Sequence, residues 1–127
     1  MRRLFEGPYL DDAVGYRAGA LRRDLDGRCE VIRFNIDALK YGDRCTLLRD
    51  DVARGLRKLR GPFDLVFSDP PYALRAAQAT VDALAKLLSP QARVVLEMDK
   101  REALPSGCEV LDDRLYGDTR VLIVARG

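Results

Sequence analysis

The stretch FDLVFSDPPY, residues 63–72, constrains what this chain can fold into more than any other. From Phe63 to Phe67 every residue but Asp64 is apolar. A run that short, closed by two prolines, predicts a buried strand rather than a helix. Neither Pro70 nor Pro71 can donate to a sheet ladder, so the strand ends at about Ser68 or Asp69. Each proline also pushes the residue before it, Asp69 and then Pro70, into extended geometry. The expected product is a stiff loop at the carboxyl end of a strand. It offers one carboxylate (Asp69), one carbonyl of fixed direction (Pro70) and one aromatic ring (Tyr72) to the same small volume.

Composition narrows the chemistry available to that loop. The chain has 127 residues and no histidine. Histidine bases, Ser-His and Cys-His nucleophile pairs and most zinc or iron sites are therefore excluded. Cys29, Cys45 and Cys108 are odd in number and widely spaced, which fits neither a disulfide framework nor a metal clip. Catalysis must fall to carboxylates, arginines, backbone groups and aromatic rings, with no metal. The length suits one domain, residues 1–127. Apolar runs are only strand-sized and the N-terminus lacks the apolar core of a signal peptide, so the expectation is a cytoplasmic chain with no membrane partner. The net charge of +2 does not demand a nucleic-acid partner. The positive charge is mostly arginine, whose fork suits phosphate and guanine edges, although Arg-rich codon usage explains the same bias.

Residues 28–41 repeat apolar positions at three- and four-residue steps (Val31, Ile32, Phe34 or Asn35, Ile36, Leu39) and predict an amphipathic helix. Asp26 is placed to cap it and Gly42 to terminate it. Residues 44–48 predict a short strand, residues 52–59 a short helix, and residues 92–98 a second buried strand. Between them a helix after Tyr72 aligns Leu74, Ala77, Val81, Leu84, Leu87 and Leu88 on one face, with Ser89-Pro90 as its stop. Residues 108–115 and 119–125 predict a closing pair of strands, one of them antiparallel because no helical crossover fits between them. Residues 9–23 read best as a weak helix broken by Gly15 and Gly19. Alternating strands and helices define an α/β sheet, mostly parallel, with an antiparallel C-terminal strand.

An Asp-Pro-Pro-Tyr after a short apolar strand resembles the signature of amino-group methyltransferases that use S-adenosylmethionine. With CEVIRFNIDAL, RDDV, FDLVFSDPPYA, VVLEMDK and LYGDTRVLIVAR in that order, the chain from Asp24 to Arg126 resembles the bacterial family that methylates a guanine N2 amine of small-subunit ribosomal RNA. The resemblance implies a Rossmann-like sheet, S-adenosylmethionine as cofactor, and ribosomal RNA or the pre-assembled small subunit as partner. It also implies a catalytic loop of Asp69, Pro70, Pro71 and Tyr72. Asp69 and the Pro70 carbonyl would hold the target amine, and Tyr72 would stack on its base. Asp51 would contact the adenine amino group, Ser68 would line the cofactor site, and Asp24, with Asp26 as runner-up, would bind the ribose hydroxyls. The residues alone admit plainer roles: Asp51 as a helix cap, Asp24 as a solvated charge, Glu97 as a strand-end charge.

The chain departs from that pattern before Asp24. No clear first or second strand and no glycine-rich cofactor loop are legible in residues 1–27; the nearest candidate, Asp12 to Leu21, spaces its glycines too widely. A sheet lacking its central strand exposes two edges. The expected explanations are closure of the gap by residues 1–23, pairing with a second copy as a homodimer, or a sequence truncated or degenerate at its N-terminus. Two functions follow: an RNA guanine-N2 methyltransferase, or a catalytically inactive, methyltransferase-like module that binds RNA, through the basic run Arg54, Arg57, Lys58 and Arg60, or oligomerises. A weaker third is methylation of DNA adenine or of a protein glutamine, chemistries that use the same kind of loop.

Overall fold

The computed structural model describes residues 3–7, 12–16, 19–22, 28–40, 45–49, 56–68 and 77–127. Among these residues, eight strands and two helices longer than one turn follow in chain order: β1 (Arg3–Gly7), β2 (Asp12–Tyr16), β3 (Gly19–Arg22), α1 (Arg28–Ala38), β4 (Cys45–Arg49), β5 (Phe63–Ser68), α2 (Ala77–Leu84), β6 (Leu88–Asp99), β7 (Cys108–Tyr116) and β8 (Thr119–Arg126). They form one sheet of order β2-β4-β3-β1-β5-β6-β8-β7. β1 runs parallel to β5 and β3, β3 to β4, and β5 to β6. β8 is antiparallel to β6, and β7 to β8.

The gap expected at the centre of the sheet is closed. β1 lies against β5, with Arg3 opposite Leu65, Leu4 opposite Val66 and Glu6 opposite Ser68. Leu4 is fully buried there. A strand therefore does precede Asp12, and a second, β3, stands beside β4. The weak helix expected over residues 9–23 is replaced by β2 and β3. Gly15 and Gly19 handicap a helix, and pairing with β1 and β4 supplies what the local sequence lacks.

Other boundaries shift for local reasons. α1 ends at Ala38, and Lys40, in the turn that follows, has a left-handed φ of 59°; the expected cap and stop residues, Asp26 and Gly42, lie outside the described residues. Phe34 and Leu39, expected on the buried face of α1, are 72% and 66% exposed, while Ile36 is buried. α2 ends at Leu84, and β6 begins at Leu88 rather than at residue 92. Pro90 fits inside β6 because the β5–β6 register shifts between Phe63 and Leu65, leaving the proline out of the ladder. Residues 56–58 are helical, as expected.

Successive strand residues alternate between faces, so each cross-strand row belongs to one face. One face carries Leu4, Val66, Val94 and Val124 in a row, and Ser68, Leu96 and Leu122 in the next, all at most 2% exposed. Ala77, Val81 and Leu84 of α2, with Leu56, join these residues in one core. The expected apolar face of α2 holds for Ala77, Val81 and Leu84; Leu87 and Leu88 join the same core but stand past the helix, in the turn after it and at the start of β6, and Leu74 lies outside the described residues. Right-handed crossovers that step in opposite directions put their helices on opposite faces. The step β5-α2-β6 covers this core face, so the step β3-α1-β4 places α1 on the other.

Candidate active site

Strand connections diverge at the centre of the sheet. From β1 the chain moves outward through β3 to β4. It then returns to β5, on the other flank of β1, and moves outward through β6. The carboxyl ends of β1 and β5 are therefore the topological switch point, where an open α/β sheet leaves a crevice for a ligand. Ser68 closes β5 at that edge, buried at 2% exposure. Gly7 closes β1, one residue past the Glu6–Ser68 pair.

Of the residues singled out in the sequence, Ser68 stands at this crevice. Asp69, Pro70, Pro71, Tyr72, Asp51 and Asp24 lie outside the described residues. The strands they follow all end on the same edge: β5 at Ser68, β4 at Arg49 and β3 at Arg22. A crevice between parallel strand ends, with a glycine on one side and a buried serine on the other, fits a nucleoside-type cofactor. Among the described residues no group of three or more acidic or cysteine side chains is placed to hold a metal ion, and no helix is long and apolar enough to cross a membrane.

A charged rim at this same edge was not legible in the sequence, which marked residues 99–107 only as a charged loop. Asp99 ends β6 and accepts two bonds from the Arg101 guanidinium, at 2.9 and 2.8 Å, and one from the Arg101 backbone N–H at 2.8 Å. The side-chain bond and charge of Asp99 raise the pKa of Arg101 still further, keeping it a fixed cation. Lys100 pairs with Asp118 of the β7–β8 turn at 2.9 Å, and holds that carboxyl below its ordinary pKa. These pairs stitch the loop after β6 to the turn after β7, beside the crevice.

Two cavities among the described residues lie away from it. One of about 520 Å³ is lined by Leu56, Arg57, Leu59, Arg60 and Lys86 at the amino edge of β5. Another of about 240 Å³ lies between the end of α2 and β8, beside Cys108. Ser68 borders neither.

Removing β2 and renumbering the other strands in chain order gives 3-2-1-4-5-7-6, with the seventh antiparallel. That order, with its crevice at the switch point, defines a Rossmann-like sheet of the kind found in S-adenosylmethionine-dependent methyltransferases. A Haemophilus influenzae protein provisionally described as a methylase superposes on it with a TM-score of 0.73 at 21% identity, over 84% of this chain and 70% of that one. An S-adenosylmethionine-dependent methyltransferase from Corynebacterium glutamicum does so at 0.54 and 13%, over 84% and 67%. The chain belongs to the family described as "Conserved hypothetical protein 95", whose model matches residues 23–125. A conserved hypothetical protein of Streptococcus pyogenes is 37% identical, with a TM-score of 0.73 over 84% of this chain and 69% of that one. A release factor glutamine methyltransferase of Rhodopirellula baltica is 33% identical over 93 residues, which are 71% of this chain. The chain spans about a quarter, 27%, of that curated relative.

Proposed function

We propose that this chain is an S-adenosylmethionine-dependent N-methyltransferase acting on an exocyclic amine of RNA, the guanine N2 amine of small-subunit ribosomal RNA. The observation that carries the reading is the end of β5. Asp-Pro-Pro-Tyr is the next stretch of sequence after Ser68, and Ser68 lies at the crevice where strand connections diverge. Family membership supports the same reading.

S-adenosylmethionine supplies an electrophilic methyl group on a positively charged sulfur. On the protein side, Asp51 accepts a hydrogen bond from the adenine amino group, Asp24 takes the ribose hydroxyls, and Ser68 lines the cofactor crevice. An exocyclic amine conjugated with its ring is a weak nucleophile. Asp69 and the Pro70 carbonyl accept its two N–H bonds and favour a tetrahedral nitrogen whose lone pair points at the methyl group. Pro71 keeps the loop stiff, and Tyr72 stacks on the base once it is turned out of its helix. This is catalysis by positioning and electrostatics.

A second acceptor, the side-chain amide of a protein glutamine, is favoured by the Rhodopirellula baltica relative and needs the same two acceptors. The test is methyl transfer by the purified chain, with labelled cofactor offered to small-subunit RNA and to glutamine peptides. RNA labelling that Asp69→Ala lowers by about 10²-fold or more, with cofactor affinity kept in calorimetry, is the expected result. Labelling of the peptide alone selects the second acceptor. No cofactor binding at millimolar concentration overturns the enzyme reading and leaves the inactive module.

A further inference from the structure

The two faces of the central sheet differ sharply. On the α2 side Val66, Val94, Leu96 and Leu122 are at most 1% exposed. On the other, Leu65, Val95, Val121 and Ile123 of the same strands are only half-buried, and Phe67 is 38% exposed. Parallel strands need cover on both faces. The cause lies in the connections. A right-handed helical crossover from β1 to β3 would place its helix on this second face, whereas the connection here carries β2, which joins the sheet itself. Phe34 of α1, on the same side, is 72% exposed.

We propose that this open face is the interface of a twofold dimer, its occupant a second copy of this chain. The arrangement of charge selects that partner. Phe67, Val95 and Ile123 form one cross-strand row. Two residues along β6 in one direction stands Glu97; two in the other stands Arg93. Glu97 makes no hydrogen bond or ion pair among the described residues, although it stands half-buried beside Val121. Among the described residues, Arg93 donates to the carbonyls of Gln91 and Ala92, at 3.1 and 3.0 Å.

A twofold axis lying between two stacked sheets, along the row Phe67–Val95–Ile123, reverses β6 over its copy. Glu97 then faces Arg93 of the second copy, and the reverse. The edge strand β7, beyond β8, carries the same pattern: Arg114 stands across from Val121 and Glu109 across from Ala125, so the twofold brings each of these two positions over the other in the second copy. Asp112, at the outer end of the axial row, would meet its own copy, but Arg114 already neutralises it at 2.9 Å. Sheets stacked in this way lie about 10 Å apart with strands nearly aligned. The contact is isologous, as a twofold dimer requires.

Four strands and five residues span roughly 19 by 17 Å, short of the ~800 Å² per partner of a standard interface even with Phe34 added. The dimer is therefore weak and concentration-dependent. It stands independently of the methyl-transfer reading.

Sedimentation velocity from low micromolar to near-millimolar protein tests it. The intact chain should pass from monomer to dimer. Arg93→Glu and Glu97→Arg should each weaken association roughly tenfold, and the double swap should restore it. Both side chains reach solvent, and far-UV circular dichroism checks that each variant stays folded. A monomer at every concentration overturns the proposal and leaves the face to a different partner. So does a dimer that the double swap fails to restore, since its contact would lie elsewhere.

Discussion

Ser68 and Glu6 stand directly across from one another where the parallel strands β5 and β1 approach their carboxyl ends. β1 is the first strand of the chain and β5 the one that leads into Asp-Pro-Pro-Tyr. Their pairing closes the centre of the sheet and builds the switch-point crevice from a segment of two charged and two large apolar residues, RLFEG. The methyl-transfer reading depends on this contact.

Replacing Ser68 by alanine tests the crevice directly. The change removes one hydroxyl and creates almost no cavity, so the fold should persist. Loss of the proposed hydrogen bond from this hydroxyl to the cofactor should cost ~1 kcal/mol, about fivefold in affinity. Calorimetric titration with S-adenosylmethionine reads it. An unchanged affinity removes Ser68 from the cofactor site.

Gly61 reports on how closely the chain packs beneath β5. A Cβ built there would lie 2.6 Å from the Leu87 carbonyl oxygen and 3.0 Å from the Leu87 Cα. That carbonyl accepts the backbone N–H of Phe63 at 2.6 Å, so it cannot retreat without loosening the start of β5. Gly61→Ala should cost about 1–3 kcal/mol in urea unfolding, the range for overpacking. A neutral substitution would mean that the Leu87 turn yields easily.

Much of this fold is legible in the sequence because particular segments decide their own structure. Phe63–Phe67, residues 92–98 and the two strands around Gly117 carry enough apolar or β-branched residues to be read in isolation. β1 does not. Arg3–Gly7 becomes a strand only because Leu4 is buried against Val66, a contact 62 residues away in sequence. Lys40, just past α1, adopts the left-handed conformation, which nothing in its side chain signals. For the candidate site, motif spacing located Ser68 at a strand end. The Asp99–Arg101 and Lys100–Asp118 pairs stayed hidden because β7 must fold back before Lys100 can meet Asp118.

α2 receives a hydrogen-bond acceptor from a distant loop. The Glu102 carboxylate accepts the backbone N–H of Ala77 at 2.9 Å, across 25 residues. Gln78 adds two bonds to the same loop, to the Ser106 carbonyl at 3.0 Å and from the Ser106 N–H at 2.8 Å. Glu102→Ala should lower stability by ~1 kcal/mol, as loss of a helix cap does. Glu102→Gln keeps an acceptor and should recover most of it. Equal losses in the two variants would show that charge rather than the hydrogen bond holds the contact.

Cys108 sets the alkaline behaviour of the same region. Its thiol is half-buried beside the end of α2, approaches the Pro105 carbonyl at 3.8 Å, and has its pKa raised by burial. Below the ordinary thiol pKa both folded and unfolded chains keep the proton, and the full contribution to stability is present. As pH rises through that value the unfolded chain ionises first, and the contribution drains away until the folded thiol ionises too. Stability should therefore fall with rising pH from about 8.5 upward, the ordinary thiol value. Lysine and tyrosine titration overlaps this window, so the comparison is with Cys108→Ala, whose urea midpoint should fall less steeply over the same range. Parallel pH profiles for the two proteins would show that the thiol ionises alike in the folded and unfolded chains, and would refute the burial argument.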